Sequence, residues 1–333
     1  MKYTPQEVIQ FIQEEDVKFI RLAFCDCFGR PKNISIMPHE LERAFKYGIA
    51  IDASAIAGFG DEVNSDLFLH PDASTIALLP WRPEHGSVVR MFCSITHPDG
   101  TPFAHDTRGI LKQAVADAAK AGYAFSFGSE LEFYLFRLDE NGEVTDVPYD
   151  QATYMDVAPE DRCENVRREI CLTLERMGIQ PESSHHEEGP GQNEVDFRYS
   201  DPLSAADNAV TFLTVVKTIA ARNGLYADFS PRPLEGRPGS GFHINMSVQG
   251  GAEALMHRAM GGILDKITQP HRAVLQPLGR TQSAEVHFVV EQQPLPAHSR
   301  SCRLRRVPAL RAAQPRLHRQ PISCLCAAHL RGT

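Results

Sequence analysis

The sequence has one tryptophan, no C-x-x-C pair and no long apolar run. Spanning a bilayer takes about 20 mainly apolar residues, and no stretch of the 333 comes close. That excludes an ordinary membrane helix. The start, Met1-Lys2-Tyr3-Thr4-Pro5-Gln6-Glu7, lacks an apolar core and carries an early acid, so it does not read as a secretory signal. The eight cysteines (Cys25, Cys27, Cys93, Cys163, Cys171, Cys302, Cys324 and Cys326) then read as reduced thiols of a cytoplasmic protein. A net charge of −8 argues against a nucleic-acid partner held by bulk charge. With 42% hydrophobic and 23% charged residues, general disorder is excluded, and the length suits two domains.

One region lacks even more. Residues 270–333 contain no Lys and no Asp, with ten Arg, seven Pro, five His and only Glu285 and Glu291 as acids. The local balance is +8, leaving −16 on the first 269 residues. Prolines at 294, 296, 308, 315 and 321 interrupt every helical or strand period. Taken alone, this segment reads as a basic, disordered arm of the kind that meets nucleic acid.

Before it, secondary-structure signals are plentiful. Thr4 and Pro5 open a helix over 5–15 with Val8, Ile9, Phe11 and Ile12 as its apolar face. Strands are expected at 19–24, 33–36, 76–81 and 88–93, with a helix over 38–47. This α+β unit of 1–100 ends in the turn-rich 97–102. A second unit, 101–270, opens with a helix over 107–121 and a strand over 123–136. A helix over 160–177, a turn-rich segment at 181–193, a long helix from Asp201-Pro202 to Asn223-Gly224, and strands at 225–230 and 241–248 follow. Strand pairs recur, so a simple doubly wound sheet is not favoured.

Three segments carry chemistry. In Gly128-Ser129-Glu130-Leu131-Glu132-Phe133, residues two apart share a face of a strand, so Glu130 and Glu132 project together. They repel unless a cation lies between them; the plainer alternative is the exposed face of an edge strand. The second segment, Glu182-Ser183-Ser184-His185-His186-Glu187-Glu188-Gly189-Pro190-Gly191-Gln192-Asn193-Glu194, concentrates carboxylates and imidazoles suited to Mg²⁺ or Mn²⁺. A solvated acidic loop is the alternative. In the third, Arg232 to Ser247, glycines leave backbone N–H groups open to an anion. His243, Asn245 and Ser247 then alternate onto one strand face. Its glycine order fits neither G-x-G-x-x-G nor the P-loop. Together the segments supply Glu130, Glu132, Glu187, Glu194 and His243, enough for two divalent ions beside an anion loop, which suits phosphoryl transfer.

At these motifs the chain resembles bacterial-type glutamine synthetases, whose patterns are Gly-x-Glu-x-Glu-Phe, His-Glu-x-x-x-Gly-Gln-x-Glu and Pro-Gly-Ser-Gly-Met-His-x-x-x-Ser; Phe242 replaces the usual Met. Ile51-Asp52-Ala53-Ser54 resembles Phe-Asp-Gly-Ser, and Asn64-Ser65-Asp66 resembles Glu-Ser-Asp. The likeness covers residues 1–269. It implies an α+β fold, a β-grasp-like N-terminal domain followed by a catalytic domain of antiparallel sheet with helices. It implies ATP and two Mg²⁺ or Mn²⁺ as cofactors. Glu132, Glu187 and Glu194 would hold the first metal, Glu130 and His243 the second. Glu182, Tyr199 and Ser247 would meet nucleotide, Gly239 glutamate, and Asp52 ammonium. The implied reaction joins ammonia to glutamate through γ-glutamyl phosphate, in a cytoplasmic homo-oligomer that is a dodecamer in the family; nucleic acid and membrane are not implied partners. Ile51 and Ala53 depart from the strictest ammonia-type motif, and some relatives use other amines.

Past residue 270 the family's Asn-Pro-x-Glu, Asn-Arg-Ser-x-x-Arg-x-Pro and Glu-x-Arg-Ser-x-Asp-Pro segments are not legible. Back-translated and moved by one nucleotide, 285–293 gives Lys-Tyr-Ile-Ser-Trp-Ser-Ser-Asn, a family-like stretch. Residues 320–332 give Asn-Pro-Tyr-Leu-Ala-Phe-Ala-Leu-Leu-Ile-Tyr-Ala in the same way. Residues 271–333 are therefore expected to be a frame-shifted, poorly ordered tail, lacking the family's substrate-binding arginines and a last second-metal glutamate. A non-catalytic remnant is the alternative to an active ligase.

Overall fold

The computed structural model describes residues 3–59, 65–81 and 86–249, together with 258, 259, 262, 288–291 and 301–302. The chain divides into two compact units, the first comprising chiefly 1–114 and the second chiefly 115–319.

In the first unit, α1 (Pro5–Glu14) is closed by a capping box. The Thr4 hydroxyl accepts from the Glu7 amide, and the Glu7 carboxylate accepts from the Thr4 amide at 2.7 Å. Val8 and Ile12 point into the core. The sheet combines β1 (Val17–Cys25), β2 (Pro31–Ile36), β3 (Ile49–Asp52), β4 (Asp66–Pro71), the short β5 (Ala77–Leu78) and β6 (Ser87–Thr96). Its order is β2-β1-β6-β4-β3, with β5 against β6. β1 and β6 run parallel and the other pairs antiparallel. Helix α2 (Leu41–Tyr47) follows a 3-10 turn at Pro38–Glu40, so the expected helix over 38–47 starts tighter than an α-helix. Ile20, Leu22, Leu69, Met91 and Ile95 fill the core.

Helix α3 (Thr107–Lys120) leads into the second unit. Its sheet is built on the fifteen-residue β7 (Ala124–Leu138). The other strands are β8 (Val144–Pro148), β9 (Pro181–His186), β10 (Gln192–Phe197), β11 (Leu225–Asp228) and β12 (Phe242–Gln249), with the short β13 (Phe288–Glu291) and β14 (Ser301–Cys302). The order is β14-β13-β12-β7-β10-β9; β8 and β11 pair with the far half of β7. β7 is therefore central, not the edge strand of the plainer alternative. β12 and β13 are parallel, and every other pair is antiparallel.

Alternation explains why the sheet has two different faces. Leu131 and Phe133 of β7 turn to one side, where Phe133 meets Phe212 of α5 (Pro202–Arg222) at 6.1 Å between ring centroids. Phe197 and Phe229 complete that aromatic layer against Phe212. Helix α4 (Glu164–Arg176) buries Val166, Ile170 and Leu174. The other face of β7 carries Glu130 and Glu132.

One sequence expectation needs correction: the segment at 181–193 is not turn throughout, because 181–186 form β9. Within the tail the described residues form only the short β13 and β14; the rest of 271–333, and with it the expected poor packing, lies outside the described residues.

Candidate active site

Strand register assembles the site. Glu194 stands opposite Glu132 across β10 and β7, and Asp196 opposite Glu130. On the far side of β10, His185 stands opposite Glu194; on the far side of β7, His243 stands opposite Glu130. The turn after β9 adds Glu187. Five residues expected to hold metal thus converge from three segments far apart in sequence.

The distances suit cation binding. Glu130, Glu194 and His243 offer ligand atoms within 4.8 Å of one another, as do His185, Glu187 and Glu194. His243 Nδ1 lies 3.1 Å from Glu130 Oε2, and Asn245 Nδ2 donates to Glu130 Oε1 at 2.6 Å. A carboxylate accepts, so Nδ1 is the donor in this contact. Nε2 faces Glu132 Oε1 at 4.0 Å. His185 Nε2 is 2.8 Å from Glu187 Oε1 and 3.6 Å from Glu194 Oε2.

Electrostatics distinguish the carboxyls. The hydrogen bond from His243, helped by Asn245, outweighs burial and holds Glu130 below the usual range. Burial pushes Glu194 well above it, reinforced by the charges of Asp196, Glu132 and Glu187. Asp196 is raised for the same first reason, burial, and its Oδ1 is buried without a partner while Oδ2 accepts from the Ser183 hydroxyl. Side chains of Glu132 and Glu194 are 11% and 9% exposed, so water does little to screen them.

Backbone close to these acids leaves room for an ion. Gly241 N donates to Glu132 Oε2 at 2.6 Å; a Cβ there would lie 2.1 Å from Glu132 Oε1 and 2.7 Å from His243 Nε2. That cradle, with oxygen donors and one imidazole nitrogen, fits Mg²⁺ or Mn²⁺.

The glycine-rich loop is tied to the same place. Gln192 Nε2 donates to Glu132 Oε2 at 2.7 Å and to the Gly239 carbonyl at 3.2 Å. Tyr134 Oη donates to the Pro238 carbonyl at 2.7 Å, and burial keeps that phenol protonated. Ser240 N donates to the Pro231 carbonyl at 3.1 Å.

The remaining expected residues are more scattered. Ser247 is buried with its Oγ unpartnered on the β12 face that carries His243. Tyr199 lies over Gly128, where a Cβ would come within 2.8 Å of its ring. Glu182 is exposed on β9, with Arg198 Nε 3.5 Å away. Asp52 belongs to the first unit, at the end of β3, where its Oδ1 accepts from the Ser54 amide at 2.9 Å and hydroxyl at 2.7 Å. Asn64, of the neighbouring motif, lies outside the described residues.

Two further side chains join the site: Gln192, which lies within the second motif, and Asp196, which no motif singled out. The signal for Asp196 was present, since it follows Glu194 by two on one strand.

Comparison with known proteins points one way. The family model for the glutamine synthetase catalytic domain matches residues 104–268, and that for the glutamine synthetase beta-Grasp domain matches 16–98. Glutamine synthetase of Clostridium saccharobutylicum is 49% identical over 247 residues, 74% of this chain and 56% of that protein. Glutamine synthetase of Methanosarcina mazei is 48% identical over 245 residues, 74% of this chain and 55% of that protein. The chain thus spans just over half the length of these relatives. Among solved structures, Plasmodium falciparum glutamine synthetase superposes with a TM-score of 0.73 at 22% identity, covering 81% of this chain and 62% of that one. A GmaS/ADP complex gives 0.69 at 25% identity, covering 83% and 68%.

Proposed function

The chain belongs to the glutamine synthetase family, and from that premise we propose that it is built for ATP-dependent ligation of ammonia to glutamate through γ-glutamyl phosphate. The observation that carries this reading is the convergence of Glu130, Glu132, Glu187, Glu194 and His243 on one sheet face beside an open glycine-rich loop.

In this reading Glu132, Glu187 and Glu194 hold one divalent cation, and Glu130 and His243 hold a second. Bound there, the cations would screen the negative charge of the γ-carboxylate and the phosphates. Glu130 is ready for this role because His243 and Asn245 already hold it ionised. Glu194, raised by burial, would give up its proton to a cation held there. Tyr199, Ser247 and Glu182 meet the nucleotide; the GmaS neighbour described with ADP supports a nucleotide site in this fold. Gly239 presents backbone to glutamate, its loop held by Gln192 and Tyr134. Asp52, which the family presents to a neighbouring subunit's site, takes the proton from ammonium there, which frees the lone pair that displaces phosphate. The Ser54 hydroxyl and amide hold its carboxyl below the ordinary range. The protein would work in the cytoplasm as a homo-oligomer, a dodecamer in the family.

The test uses a chain whose reading frame is restored after residue 270, supplied with ATP, glutamate, Mg²⁺ and isotope-labelled ammonium. The label should enter the amide of glutamine, with one phosphate released per amide formed. Phosphate release that does not need ammonium would contradict amide formation.

A further inference from the structure

Behind the carboxylates, on the opposite face of β9 and β10, lies a buried polar network that the proposed chemistry does not use. His186 is fully buried. Its Nε2 lies 2.9 Å from Asp150 Oδ1 and its Nδ1 lies 2.7 Å from the Glu187 carbonyl. Both partners only accept, so both ring nitrogens carry hydrogen. Asp150 Oδ1 also accepts from Gly191 N at 2.9 Å; Oδ2 accepts from Arg162 N at 3.0 Å and from Cys163 Sγ at 3.2 Å. Arg167 forks onto Asp161 at 3.1 and 2.5 Å and donates to Asn193 Oδ1 at 2.6 Å. Asn193 Nδ2 donates to the Gly191 carbonyl at 2.9 Å.

Two explanations compete. Asp150, Asp161, Cys163 and His186 bring ligand atoms within 4.8 Å of one another, which resembles a second metal centre. The hydrogen bonds oppose that. A ligating imidazole needs a free nitrogen lone pair, and His186 has none in this arrangement. Both Asp161 oxygens accept from Arg167.

The other explanation follows where the network ends. It grips the Glu187 carbonyl, the Gly191 amide and the Gly191 carbonyl. These three points lie on the short turn that carries Glu187 at one end and leads into Glu194 at the other. Alternation along the strands puts His185 and Glu194 on the front face and His186 and Asn193 on the back. We propose that Asp150, His186, Arg167 and Asn193 are positioning residues that set the spacing of the Glu187 and Glu194 carboxylates, and hence the affinity for the divalent cation. The inference rests on the cation-site reading above, because it concerns ligands assigned there.

Supporting groups behind metal ligands typically change affinity about 10–100-fold when removed. The test is Mn²⁺ titration of the full chain, followed by the paramagnetic resonance of the free ion, alongside thermal unfolding. Asp150→Asn removes the charge that holds His186 and Gly191. Asn193→Ala is the second variant, should the first not fold. Asp106→Asn, a buried acid of the first unit, controls for destabilisation alone. Either folded variant should bind Mn²⁺ at least about tenfold more weakly than the parent, while Asp106→Asn binds normally despite a lower unfolding temperature. Parental affinity in the folded Asp150→Asn and Asn193→Ala chains would overturn this inference and leave the cation site standing. A parent chain that binds no Mn²⁺ would overturn the site and this inference with it.

Discussion

A single side chain, Glu194, would couple the proposed cation site to pH. Burial raises its carboxyl far above the ordinary range, with Asp196, Glu132 and Glu187 adding to the shift. With no cation bound, the folded state would hold this proton to a higher pH than the unfolded chain does. Between the ordinary and the raised value the folded state binds more protons, so cation-free stability falls as pH rises. In the proposed site a divalent cation would take the place of that proton. The rise in unfolding temperature on adding Mn²⁺ should be larger at about pH 8 than at about pH 6, and Glu194→Gln should lose most of it. A pH-independent rise would contradict the assignment. Gly241 gives a steric test at the same scale. Gly241→Ala places a methyl 2.1 Å from Glu132 Oε1, so Mn²⁺ affinity should fall about tenfold or more while the fold persists, as circular dichroism would show. Unchanged affinity would place the ion elsewhere. Glu130 and Glu132 were legible because spacing by two on a strand is a local rule. The role of Asp150 was not, because its partner His186 is 36 positions away and no local pattern links them.

Among the elements, β7 carries the most. It pairs with four strands, shows its carboxylates on one face and feeds the aromatic layer on the other. Phe133 is fully buried there against Phe212 and Phe229. Phe133→Ala should cost about 3–5 kcal/mol through lost burial and the cavity left behind, measured by denaturant unfolding of the second unit's ellipticity. A loss under about 1 kcal/mol would mean that this layer is not a packed core. Helix ends were readable from chemistry alone. Thr4 with Glu7, and Asp201 before Pro202, cap as their side chains dictate. β9 was not, because Pro181-Glu182-Ser183-Ser184 has turn-forming composition. Pairing with β10, which tertiary structure supplies, makes it a strand. Strand β8 has an exposed, weakly alternating sequence and gave no signal either.

The whole molecule shows where family likeness stops. Matches to the β-grasp and catalytic domains run from residue 16 to residue 268, and the basic, lysine-free composition begins at residue 270. The two carboxylate motifs and the glycine-rich motif with His243 lie before that point and come together on one sheet. The tail's proposed frame change could be seen only by moving between reading frames, since no physical property of the residues records it. Charge neutralisation is the energetic consequence. In the proposed reaction the transition state would gather the glutamate carboxylate, the transferring phosphoryl group and the departing nucleotide, and cations would cover only part of that charge. Loss of an arginine that completes the neutralisation costs about 10³-fold or more in phosphoryl transfer. The most direct measurement is therefore ATP-, ammonia- and glutamate-dependent phosphate release by the 333-residue chain and by its frame-restored counterpart, side by side with Mg²⁺ or Mn²⁺. The restored chain should turn over, and the chain as it stands should show no measurable turnover. Turnover by the latter within about tenfold of the former, against the 10³-fold expected, would show that the catalytic groups lie elsewhere.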